Sequence, residues 1–566
     1  MILSAISLWK KFNLKTPLSA SEWGIEDKHG ICFSHVTYSG HEVEDGCVRI
    51  YAQFARPSGE DKRPAILLLP DAGKELDREL LYYFVDKGYA VLMPDYSGKR
   101  ADEKNGEMHT LYPASLSYGN YEQARGLYDM ENLEADKTSW FEWTYVALYS
   151  LQYLKSRADV GNIGVVGIRK GGEIAWQVML SPDVKCGVPV NAAGWRSFSH
   201  VAKFGDNVAH NLSDDKHRYI AAVEAQSYAP YVKCPVLMLC ALRDEGFDGD
   251  RAYDTYSRIG NPEDNALVYS SNSGACIGPN GLTDMDLFLE KNLKGREIYI
   301  PDTLNVSLKE SDDGLEILVE SDKEGLLEEM GVFYAEADVR TKSAYRDWRC
   351  ICKKNGKSVK NGQSVCQYKP FEGATAVFVY AYAKYINGFH VTSKIVSKRL
   401  ANPKKDAVKS RRVYSGEEIE GFGVAHYEDY SIADIFLERE AVPKTVVGYG
   451  GIKGAYSVGG ISTYKISSPR FIPEENAILK FDAYFKETDE LTVSVDIAAV
   501  ETERERYVCV VPIKGGGKWK RVVLKAADFK GETYGKPLSN FHEGSALSFD
   551  CENEDNEYAI NNILWL

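Results

Sequence analysis

Residues 162–176 of this 566-residue chain, Asn-Ile-Gly-Val-Val-Gly-Ile-Arg-Lys-Gly-Gly-Glu-Ile-Ala-Trp, constrain its fold more than any other stretch. Ile163 to Val166 is a short apolar run rich in β-branched residues, Gly167 and Gly171-Gly172 permit a tight turn, and helical spacing restarts at Ile174, Ala175, Val178 and Met179. A strand, a sharp turn and a helix in that order predict a sheet crossed by helices.

The neighbouring chain keeps the same rhythm. Ala65 to Leu69 is the continuous apolar run of a central parallel strand, Leu76 to Lys87 is helical by period, and Tyr89 to Met93 is the next buried strand. Val48 to Ala55 alternates as a half-buried strand of an antiparallel edge hairpin. Residues 101–135, polar and Tyr-rich, interrupt the alternation as a lid. Ser139-x-x-Glu142 reads as a capping box that opens a long amphipathic helix through Leu154. Strands at Gly187 to Val190, Pro235 to Cys240 and Ala266 to Ser270, then a helix from Thr283 to Leu293, complete the unit.

Gly167-Ile168-Arg169-Lys170-Gly171 has the frame of the Gly-x-Ser-x-Gly nucleophile elbow. Over residues 30–296 the chain resembles the α/β-hydrolase superfamily. The likeness is to dienelactone hydrolase-like proteins and to the C-terminal domain of acyl-CoA thioesterases and bile-acid-CoA acyltransferases. Those read Gly-x-Ser-Lys-Gly-Gly-Glu, matched here at Gly167, Lys170, Gly171, Gly172 and Glu173. The resemblance implies a mostly parallel sheet with helices on both faces. It puts Arg169 at the nucleophile position, Asp244 at the acid, Cys276 (in Ser273-Gly274-Ala275-Cys276) at the base, and oxyanion donors near Lys170 and Asp71-Ala72.

A guanidinium has no lone pair with which to attack a carbonyl, and no histidine occurs between His217 and His390. The expected triad is therefore degenerate, and ordinary serine-hydrolase chemistry is not expected. Three uses of the remains stand open: Arg169 pairs with Asp244 and fills the pocket; Arg169 and the old oxyanion donors hold a carboxylate or phosphate; or Cys276, activated by Arg169, is the nucleophile of a carbohydrate or acyl esterase or a thioesterase.

The hydrolase-like domain is expected over residues 1–298. Period-two segments follow, predicting a β-sandwich over 299–400, a basic linker at 401–413 and a second β domain over 414–566. The last resembles the jelly-roll domains that serve as carbohydrate-binding modules. Its stacking candidates are Tyr449, Tyr456, Tyr464, Tyr484 and Trp519. Asp482, Asp528 and Asp550 lack ligand spacing, so neither metal nor cofactor is expected.

A formal net charge of -14 argues against nucleic acid, and no apolar run spans a bilayer. The N-terminal positive charges, Lys10 and Lys11, follow the apolar run, the wrong order for a signal peptide. Eleven cysteines, single apart from Cys350-x-Cys352, read as reduced thiols of a cytoplasmic protein. The sequence thus points to a non-catalytic pseudoenzyme in carbohydrate recognition, its partner a sugar or an anionic small molecule. A scaffold for a protein partner is the other non-enzymatic reading, and oligomeric state stays open.

Overall fold

The apolar runs of the hydrolase-like part assemble into one nine-stranded sheet. The computed structural model describes residues 4–101, 108–199, 203, 212–271, 276–311, 314–321, 326–338, 341–416, 419, 421–424, 442–498, 504–551, 553 and 556–566. Its strands are β1 (Ser21–Lys28), β2 (Ile31–Val43), β3 (Gly46–Pro57), β4 (Arg63–Leu69), β5 (Ala90–Asp95), β6 (Val160–Ile168), β7 (Val184–Val190), β8 (Leu237–Ala241) and β9 (Ala266–Ser270). They lie in the order β1-β2-β3-β5-β4-β6-β7-β8-β9, antiparallel as far as β5 and parallel from there on. This is the α/β-hydrolase arrangement. The expected edge hairpin is corrected: β3 is an inner strand between β2 and β5, and β1 forms the edge.

The helices that matter for the site are α1 (Ala5–Trp9), α2 (Arg78–Val85), α3 (Ser139–Ser156) and α4 (Lys170–Val178). The capping box at the start of α3 does not form. Thr138 is the N-cap, the Ser139 hydroxyl donates to the Tyr118 carbonyl at 2.7 Å, and Glu142 Oε2 lies 2.8 Å from His41 Nδ1. Nor is α3 amphipathic in its setting, because almost every residue is buried. The segment after α1 lies across it: Phe12 stacks on Phe141 with centroids 4.6 Å apart, and the Asn13 N–H donates to the Tyr145 hydroxyl at 2.9 Å. On another side the Trp143 indole donates to the Gly119 carbonyl at 2.7 Å. The described part of the expected lid is thus packed down, with Tyr121 N donating to Ser97 O at 2.7 Å. Residues 102–107 of that stretch lie outside the described residues.

Several antiparallel β-sheets follow. Residues 305–399 form a three-stranded and a five-stranded sheet, and residues 412–565 two six-stranded ones. The first pair does not have a private core. Ile317, Val319, Val332 and Val379 belong to the same buried cluster as Met285 and Phe288 of the hydrolase helix Pro279–Lys294. The last pair encloses its own, with Phe481, Leu491, Val493, Phe549 and Ile560. The strand Tyr558–Trp565 runs in the middle of its sheet, between Lys453–Tyr456 and Leu479–Phe485. Residues 401–411 are tied to both sides, Lys404 N to Glu372 O at 2.7 Å and Ser410 N to Arg470 O at 2.8 Å.

Cys352 and Cys366 are joined by a disulfide, against the expectation of reduced thiols throughout. Disulfides persist in oxidising surroundings, so the cytoplasmic expectation loses its main support. No helix among the described residues is long and apolar enough to cross a membrane.

The β regions are fixed to the hydrolase part by buried ion pairs. Arg346 grips Asp250 with both guanidinium ends, at 2.5 and 2.7 Å, and both side chains are almost fully buried. Arg346→Met would strand a carboxylate in that environment, a loss of about 3–5 kcal/mol. The variant should unfold in an earlier calorimetric transition and be cut faster near residue 300 by protease; unchanged traces would mean the pair does not hold the junction.

Candidate functional site

The carboxyl ends of β4, β6, β7 and β8 converge on one cavity, as is usual for open parallel sheets. Its centre is the turn from β6 to α4. Arg169 sits at φ 50°, ψ -111°, a conformation that costs a non-glycine residue about 1–3 kcal/mol. It is held there by its own amide on Val190 O at 2.8 Å and its carbonyl accepting from Glu173 N at 3.0 Å. Close backbone approach explains the glycines. A Cβ at Gly171 would stand 2.2 Å from the Leu69 carbonyl oxygen, and one at Gly167 2.3 Å from the Gly171 oxygen. The elbow is therefore complete in geometry, with an arginine on its apex.

The Arg169 Nε donates to Asp244 Oδ2 at 2.7 Å. Asp244 is also held by Asn191 Nδ2 at 3.1 Å and, through Oδ1, by the Gly246 amide at 2.6 Å. The partner of Asp244 is thus Arg169 and not its neighbour Arg243, whose guanidinium packs 4.0 Å over the Tyr464 ring and donates to Gly421 O. On the opposite wall, Asp71 Oδ1 accepts from the amides of Ala72 at 2.9 Å and Lys170 at 3.2 Å, with the Lys170 ammonium 3.5 Å away. The N–H groups expected to act as oxyanion donors thus hold a carboxylate of the chain itself.

The structure brings together Arg169, Asp244, Asp71, Ala72 and Lys170. It places Cys276 elsewhere: the thiol is buried in the apolar core that contains Val268, Ile277 and Met285, and Cys276 is not among the residues that line the cavity. Ser273, Gly274 and Ala275 lie outside the described residues. The cavity, about 250 Å³, is lined by Asp71, Arg169, Lys170, Glu173, Asn191, Arg196, Asp244, Glu245 and Gly246, with no histidine among the described residues. Among the described residues no group of His, Cys, Asp and Glu could hold a metal.

Sequence reading missed Asn191, Arg196 and Glu245, and missed that the Asp71 side chain, as well as its backbone, takes part. The one available signal was position: Asn191 directly follows the apolar end of β7.

Residues 50–270 match the dienelactone hydrolase family. No curated protein matches the chain in sequence. Among solved structures, the chain is similar to an acetyl xylan esterase from Paenibacillus sp. R4, at 18% identity over 51% of this chain and 92% of that one, with a TM-score of 0.39. It is also similar to acetyl xylan esterase 1 from Thermoanaerobacterium sp. JW/SL YS485 (14%, 48% and 86%, TM-score 0.34) and to a CE15 glucuronoyl esterase from Teredinibacter turnerae T7901 (15%, 49% and 79%, TM-score 0.33).

Glu173 gives the dienelactone hydrolase-like domain a pH signature. Burial first, and the nearby Glu224 second, push its carboxyl up to about 8. It accepts the Gly194 and Ala225 amides at 3.1 and 3.0 Å. The folded protein keeps this proton while the unfolded chain releases it near 4.5, so the stability it confers is complete at low pH and is lost as pH rises towards 8. Glu173→Gln fixes the neutral form, and the fall in Tm between pH 5 and 8 should shrink by a few degrees relative to the unsubstituted protein. Parallel Tm profiles would show that Glu173 is ionised in the fold.

Proposed function

We propose that this protein is a catalytically degenerate member of the hydrolase fold that recognises carbohydrate without cleaving it. The observation that carries the reading is the Arg169 Nε on Asp244 Oδ2 at 2.7 Å: the nucleophile position is a cation, and the acid that would orient a base is neutralised by it. The esterase alternative needs the Cys276 thiol in the cavity, and its burial in the apolar core counts against that use.

Carbohydrate as the ligand class is supported by the outer face of the C-terminal sheet, which we read as a jelly roll of the carbohydrate-binding kind. Trp519 lies over Gly448 and Gly454, where an added Cβ would approach the indole to 2.9 and 2.8 Å. The indole N–H donates to Tyr449 O at 3.1 Å, and the Tyr484 ring is 5.6 Å away. Tyr449 is 59% exposed. Two residues along their strands from Tyr484 and Trp519, hence on the same face, stand Asp482 and Arg521, with Asn562 donating to Asp482 at 2.9 Å. Rings for the C–H faces of a pyranose beside groups for its hydroxyls are what such a ligand needs. Of the other stacking candidates, Tyr464 is buried against Tyr345 at the junction and is unavailable to a ligand.

Two measurements test this. The full-length protein should leave p-nitrophenyl acetate intact beyond the buffer rate; turnover that survives repurification and follows the protein would overturn the non-catalytic half. In affinity electrophoresis through a panel of soluble polysaccharides, at least one should retard the protein, and Trp519→Ala should weaken that binding by about 1 kcal/mol, roughly fivefold. Unretarded migration throughout, or retardation indifferent to Trp519, would sink the sugar assignment.

A further inference from the structure

One oxygen of the Asp71 carboxylate draws donors from its own loop and from a segment 99 residues further along the chain. Asp71 Oδ1 receives the Ala72 amide at the end of β4 and the Lys170 amide at the start of α4. The Lys170 ammonium stands 3.5 Å from the same oxygen, and Arg169 Nη1 is 3.9 Å from Oδ2. Converging N–H groups and a cation in a half-buried setting form a carboxylate receptor whatever chain the carboxylate belongs to.

The other carboxylates of the cavity are committed differently. Asp244 is bound by Arg169, Asn191 and Gly246, and Glu245 accepts the Tyr345 hydroxyl at 2.6 Å. The cavity of about 250 Å³ is also lined by Arg196, which adds a third cationic side chain to Arg169 and Lys170. We propose that the old oxyanion hole is a carboxylate-binding site with the Asp71 side chain as its tethered occupant, and that a carboxylate-bearing ligand binds in this cavity by taking that place. This site is separate from the aromatic face, and it stands or falls independently of the sugar assignment.

The tether sets the expected affinities. A side chain attached beside its site competes at an effective concentration of about millimolar or above, so the natural protein takes up a small free carboxylate only weakly. Shortening Asp71 removes the competitor and leaves the Lys170 ammonium without its counter-charge.

The test is a titration of the full-length protein with sodium acetate against sodium chloride at equal ionic strength, followed by calorimetry and by thermal shift. Asp71→Ala should bind acetate saturably and at least 10-fold more tightly than the unsubstituted protein, and the further change Lys170→Met should abolish the gain. If Asp71→Ala does not fold, Asp71→Ser also withdraws the carboxylate and gives the same readout. An acetate response equal to that of the unsubstituted protein, or equal to that of chloride, overturns the proposal. Phosphate binding more tightly than acetate to Asp71→Ala overturns the assignment to carboxylates.

Discussion

The ion pair between Arg169 and Asp244 fixes the loop on which the rest of the molecule is mounted. Asp244 is buried, and its pairing partner comes from the elbow of another strand, so the loop after β8 has one position. The residues on either side of it then reach outward: Arg243 to Gly421 and Tyr464, Glu245 to Tyr345, and Asp250 to Arg346. Breaking a buried pair leaves an uncompensated charge, which is far more costly than never having had one. The loop after β8 thus serves as the bracket between three parts of the chain.

The elbow keeps its frame with an arginine on its apex. The strained backbone at Arg169 is retained by contacts that have nothing to do with reactivity: the Val190 carbonyl, the close passage of α4 over β4, and glycines that no other residue can replace. An arginine satisfies the same backbone geometry as a serine because strain is set by φ and ψ. What changes is the electrostatics above the turn. Asp71 accepts the Ala72 and Lys170 amides, and Arg169 pairs with Asp244.

Much of this fold is legible in the chain because continuous apolar runs and elbow glycines report local geometry. The run at 65–69 is β4 but for its first two residues, and the run at 266–270 is β9. Reading fails where tertiary contacts decide. Ser139 and Glu142 carry the capping signature, yet Tyr118 and His41 compete for their side chains and win. The helix they begin is buried by residues 12–16 and 118–121, which no helical period announces. At the site, backbone placement from the motif is sound, whereas the side chain of Asp71 is free to point anywhere until Lys170 is brought to it. Cys276 shows the limit of counting along a loop: its position in the sequence suits a base, while its side chain belongs to the core.

The strand Tyr558–Trp565, paired with two strands at separations of 73 to 105 residues, gives this protein an order of events during synthesis. A strand at a sheet's edge can be added to something already formed; one in the middle must arrive before its neighbours have a surface to share. The hydrolase sheet can close once residue 270 is available, but Lys453–Tyr456 and Leu479–Phe485 present apolar faces and unpaired edges until residue 565 has emerged. The aromatic face built across those strands thus forms only after the hydrolase sheet can close.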